Sequence, residues 1–127
     1  RTPNISCAVV HKNQAYSILH KYSDGSYLEF VTDTGSVKLE KKFDKEVQLN
    51  KSWIHTKIAV FESWDMNPSG TRIVTLDHSK TISLFTSDGV FVKYIKSDQS
   101  INFVFFLSDQ TIAYYHEIEG LQIVTVD

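Results

Sequence analysis

Short β-favouring runs, each halted by a turn residue, follow one another along almost the whole chain, and this most limits what it can become. Val, Ile, Phe, Tyr and Thr gather at residues 6–10, 15–21, 27–32 and 36–43, again at 58–64, 72–76, 81–86 and 90–95, and again at 101–106, 111–116 and 121–126. β-branched and aromatic side chains fit a pleated surface, and runs this short suit strands better than helices. Between them lie Ser23-Asp24-Gly25, Asp33-Thr34-Gly35, Asn67-Pro68-Ser69-Gly70, Ser87-Asp88-Gly89 and Glu119-Gly120. Gly, Asn, Asp and Pro at such points supply the backbone freedom and side-chain bonding that tight turns need. No window carries a capped apolar stripe at helical spacing, and the polar segment 44–52 reads as a loop or one short helical turn. The pattern predicts an all-β chain.

The runs also repeat. Tyr27-Leu28-Glu29-Phe30-Val31-Thr32-Asp33-Thr34-Gly35 lies over Thr81-Ile82-Ser83-Leu84-Phe85-Thr86-Ser87-Asp88-Gly89 at a step of 54 residues, sharing its apolar pattern, its Thr and its closing Gly. Leu121-Gln122-Ile123-Val124-Thr125-Val126-Asp127 lies over residues 82–88 at a step of 39. The longer first step places an insertion at about 44–52. Units of about 40 residues, each of four short antiparallel strands, are the sequence form of β-propeller blades. The string from Asn67-Pro68-Ser69-Gly70 through Asp77-His78-Ser79-Lys80-Thr81-Ile82 to Ser87-Asp88-Gly89 resembles a WD40-type blade. In that family a Pro-x-Gly-type turn leads into an inner strand, and an Asp-bearing turn precedes a Thr-Ile opening of the third strand. Phe85 stands where the family carries Trp, and no Gly-His pair opens the unit. The same string is also similar to an NHL-type blade.

The expected fold class is thus all-β, a β-propeller segment of about three four-stranded antiparallel blades at about 5–43, 53–96 and 101–127. Blades bury their faces on neighbours, so these are expected to belong to a larger propeller. The rest of the ring would come from a longer chain, a second copy or another protein. A compact β-sandwich or barrel of the same strands is the alternative.

Composition narrows the function classes. Thirteen Lys and Arg against 15 Asp and Glu give a net charge of −2, without the basic excess of a dedicated nucleic-acid binder. The hydrophobic share of 42% excludes a disordered chain. The lone Cys7 permits no intrachain disulfide, which fits a reducing compartment, and it reads as a small core residue. No apolar run approaches the roughly 20 residues of a membrane-spanning helix.

The chemistry-bearing residues do not assemble into a catalytic signature. The five histidines, His11, His20, His55, His78 and His116, lack metal-ligand spacing, and no Cys cluster accompanies them, so no metal or cofactor is expected. Neither a phosphate-cradling loop nor a Gly-x-Ser-x-Gly elbow is present. Glu117 and Glu119 read as a solvated turn, and His78 after Asp77 as a strand-tying turn residue. Lys38, Lys41, Lys42, Lys45 and Lys51 interleave with Glu40, Asp44 and Glu46, and read as a solvated strand end and loop. Contact of these lysines with RNA is what the NHL resemblance implies. Trp53 borders the polar insertion, and Trp64 beside Asp65 reads as core. Aromatic and Arg side chains near such loops are enriched at interfaces, so Trp53, Trp64 and Arg72 are the candidate partner-binding residues. The WD40 resemblance implies a non-enzymatic protein–protein interaction scaffold in an intracellular complex, cytoplasmic or nuclear. An RNA-binding NHL-like propeller is the alternative, and a propeller hydrolase comes third.

Overall fold

The computed structural model describes residues 5–11, 15–32, 34–44, 52–57 and 60–126. The strands are β1 (Ile5–Val10), β2 (Tyr16–Tyr22), β3 (Gly25–Thr32), β4 (Gly35–Lys42), β5 (Phe61–Met66), β6 (Arg72–Asp77), β7 (Thr81–Thr86), β8 (Phe91–Ser97), β9 (Ile101–Ser108), β10 (Thr111–His116) and β11 (Gly120–Thr125). They form three antiparallel up-and-down sheets in chain order, β1-β2-β3-β4, β5-β6-β7-β8 and β9-β10-β11. This is the strand topology of consecutive propeller blades, with three strands instead of four in the last. None of the three sheets closes into a barrel.

The turns form where their residues require. Asn67 Oδ1 accepts from Thr71 N at 2.9 Å and Arg72 N at 3.0 Å, folding the β5–β6 connection over its own side chain. Asp77 Oδ1 does the same between β6 and β7, accepting from Ser79 N at 2.9 Å and Thr81 N at 3.1 Å. Gly89 closes the β7–β8 turn at φ +95°, and a Cβ there would lie 3.0 Å from the Trp53 ring. Only a glycine gives both the backbone angle and the room.

One short helix departs from the expected absence of helical stripes. α1 (Ser52–Lys57) is six residues long, too short to show a period in sequence. It exists because Ile54, 1% exposed, and the half-buried Trp53 pack with Trp64, Met66, Ile73, Phe43 and Phe61 on one face of the second sheet. The strand expected at 58–64 begins only at Phe61, and residues 58–59 lie outside the described residues. Residues 45–51, most of the predicted insertion, and the side chains of Cys7 and His55 also lie outside them.

All three sheets meet one another, and two of the cores lie against the third sheet. Val104, Phe106, Ile112 and Tyr114 of the third sheet pack with Val74, Leu76, Ile82 and Leu84 of the second. Phe103, Phe105 and Tyr115 pack with Leu19 and Leu28 of the first. The third sheet therefore packs against both of the others, and alternate residues of β9 and β10 serve two different cores. A strand buried on both faces needs a continuous apolar run, which 103–107 supplies.

Candidate interaction edge

Two strand edges next to each other in sequence, at β8 and β9, define what the molecule can offer a partner. The β9 edge away from β10 runs along β5. There Val104 N donates to Ser63 Oγ at 3.3 Å and Phe106 N to Asp65 Oδ2 at 2.7 Å. Asp65, fully buried, also accepts from Ser26 Oγ of β3 at 3.1 Å and from Lys41 Nζ of β4 at 2.6 Å. Lys41 Nζ donates to the Met66 carbonyl as well. One carboxylate thus holds all three sheets together. Burial pushes the Lys41 ammonium below its ordinary pKa, against the opposing pull of Asp65. Lys41 therefore does not belong to a solvated lysine cluster, as its neighbours Lys38 and Lys42 do. Alternation carries the signal, since Leu39 and Lys41 share the inward face of β4 and the buried Phe43 continues the pattern just past its end. Lys45 and Lys51 lie outside the described residues.

The β8 edge has the opposite character. Among the described residues β8 pairs with β7 alone, and no other strand meets its outer edge. Six of its seven residues are exposed and none is buried. Phe91 and Val92 are 47% exposed and Tyr94 is 71% exposed, an apolar patch in one strand. Cross-strand pairing explains the arrangement. Phe91 faces Phe85 and Tyr94 faces Ser83, so both rings stand on the α1 face of the sheet. From Trp53 a ladder of rings runs outward, with centroids 5.3 Å apart to Phe85, 5.8 Å on to Phe91 and 4.8 Å on to Tyr94. Trp53 is fixed by Nε1–H donating to the Ser87 carbonyl at 2.9 Å. Beside the ladder, Trp53, Lys57, Val60, Phe61, Phe85 and Gly89 line a cleft of about 460 Å³, which Asp77 also borders.

The three candidate partner residues part company. Trp53 stands at the root of this ladder. Trp64 is 1% exposed, in the core against Lys21 Nζ at 4.4 Å from its ring, as its position beside Asp65 predicts. Arg72 is half-buried at the start of β6, opposite Thr86. Phe91 and Tyr94 were not singled out in sequence. Their only signal is the run Val90-Phe91-Val92, whose apolar residues do not alternate with polar ones.

A second polar cluster tests the hydrolase reading. His11 Nε2 lies 3.2 Å from Ser17 Oγ, and Glu117 Oε1 lies 3.6 Å from His11 Nδ1. Glu117 is thus a buried carboxylate bonded by Asn102 Nδ2, in contrast to the solvated turn expected, while Glu119 is exposed. Asn102 Nδ2 also reaches His11 Nδ1 at 3.2 Å. His11 and Ser17 are each 2% exposed, so the pair lies inside the fold and not in an open site. Phe30, Phe103 and Tyr115 enclose the ring, and burial lowers the His11 pKa. The cluster joins the first sheet to the third. No group of His, Cys, Asp and Glu among the described residues could hold a metal ion. His78 lies 3.3 Å from Glu62, which also takes Lys80 at 2.5 Å, while His116 Nε2 meets Asp98 at 3.1 Å.

Fold and edge together define an all-β, blade-forming chain with a sealed sheet edge at β9 and, among the described residues, an open one at β8. No protein-family model matches the chain, and no curated protein matches it. Among solved structures it is similar to the crystal structure of HIRA(644-1017), at a TM-score of 0.42 and 10% identity. That likeness covers 98% of this chain and 36% of the other, so the chain spans little more than a third of its length. No helix among the described residues is long and apolar enough to cross a membrane.

Proposed function

We propose that the chain is a non-enzymatic protein–protein interaction scaffold, a WD40-like propeller segment with blades at about 5–43, 53–96 and 101–127, and that β8 is its docking element. The observation that carries the reading is the open β8 edge with its outward ladder of aromatic rings. An unpaired strand offers a row of N–H and C=O groups, and flanking side chains give an added strand its selectivity. The proposed setting is an intracellular complex, cytoplasmic or nuclear, consistent with a single cysteine and no possible intrachain disulfide. A protein partner or the remainder of a longer chain would complete the ring.

The test is selection of a displayed peptide library on the chain, followed by comparison with Val92→Pro. Val92 is the unpaired residue between Phe91 opposite Phe85 and Lys93 opposite Leu84, and proline is tolerated at such a bulge while it removes an edge N–H. Selected peptides are expected to bind the parent chain and to lose binding to the variant. Peptides that bind both equally would overturn the assignment to β8.

A further inference from the structure

Resting on β8 as the docking element, we propose that its partner is an acidic extended segment in which carboxylates alternate with apolar side chains. The two faces of β8 differ in chemistry. Phe91 and Tyr94 stand on the α1 face, while Lys93 faces Leu84 and Lys96 faces Ile82 on the other. A strand added along this edge would place alternate side chains against the ring ladder and against the two ammonium groups. Lys57, on the cleft below Trp53, adds a third cation at the end of α1.

Among the described residues Lys57 and Lys93 have no charge partner, while Lys96 acts at a distance on Asp98, helping the Ser100 N–H and His116 to lower its pKa. None of Lys57, Lys93 and Lys96 forms an ion pair among the described residues. The nearby carboxylates have other work. Asp77 caps its own turn through Ser79 N and Thr81 N, and Asp98 accepts from Ser100 N at 2.9 Å and meets His116. A second copy of the chain is a poor occupant, because antiparallel β8 pairing would bring the Lys93 and Lys96 sets toward each other, and like charges across a ladder repel. An acidic strand gains from the charges that deter self-pairing.

The test uses three labelled peptides of seven residues, matching the length of β8, in which Val and Phe alternate with Glu, Gln or Lys. Binding to the whole chain is read by fluorescence anisotropy at low and high salt. The Glu peptide is expected to bind about tenfold more tightly than the Gln peptide, to weaken with salt, and to lose that advantage with Lys93→Glu/Lys96→Glu. The Lys peptide should then bind the double variant best. Both side chains are exposed, so the variant keeps its core, which circular dichroism checks. Equal binding of the Glu and Gln peptides, lost in Val92→Pro, would overturn the acidic partner and leave β8 as the docking edge. If none of the peptides binds, or all bind Val92→Pro as they bind the parent, the acidic partner and the β8 edge fall together.

Discussion

β8 and β9 are joined by a turn of three residues, Asp98, Gln99 and Ser100, yet one is the most exposed strand with described side chains and the other is buried on both faces. Each lies at the end of its sheet, so each has a free edge by topology. The difference lies in what meets that edge. Along β9, Ser63 and Asp65 of β5 accept the N–H groups that a neighbouring strand would have taken. Side chains two residues apart match outward N–H groups two residues apart, and a sheet end becomes an internal seam. Along β8 no described residue supplies such acceptors, and the strand carries rings and lysines outward. A sheet edge is therefore closed or open by a few polar residues on a different strand, not by its own sequence.

The largest effect is expected from breaking the sealed edge. Asp65→Ala leaves Lys41 buried without its partner and strips acceptors from Ser26 and Phe106. A loss of about 3–5 kcal/mol, read by urea unfolding, is expected for an uncompensated buried charge. Loss of less than about 1 kcal/mol, the value of an exposed pair, would mean that the three sheets are held together elsewhere.

Acid should loosen the same region in a second way. The folded His11 pKa lies below 6.5 because burial disfavours the charged ring beside Phe103 of β9. The unfolded chain then binds the proton first, so the His11 contribution falls as pH drops from about 6.5 toward its folded pKa and levels off below it. His11→Gln should flatten that part of the stability profile. An unchanged slope would assign the acid sensitivity to other groups.

The smallest effect belongs to the open edge. Tyr94→Ala removes a ring that is 71% exposed, and stability should stay within about 0.5 kcal/mol of the parent in the same titration. A larger loss would mean that the ladder supports the fold and is not free for a partner.

Much of this contrast was legible in the sequence, and the reason differs by element. The continuous run 103–107 announces a strand covered on both faces, and the Asn67 and Asp77 turns follow from local side-chain chemistry. Three meanders follow from the repeat. Their mutual packing does not, because a repeat fixes each sheet and not which faces of the sheets meet. Lys41 was misplaced by counting charges along the chain, when alternation with Leu39 and Phe43 sets its face. Trp53 stood out beside a polar insertion. Phe91 and Tyr94 did not, since Phe91-Val92-Lys93-Tyr94-Ile95 would read the same under a fourth layer of structure as it does in the open.

Hydrogen exchange followed by mass spectrometry, on peptides covering 91–97 and 101–108, tests the central contrast most directly. With β8 open and β9 sealed, the outward amides of β8 should exchange early while those of β9 stay protected until global unfolding. Addition of the acidic peptide should then slow β8 alone. Equal protection of the two strands in the chain by itself would contradict the account.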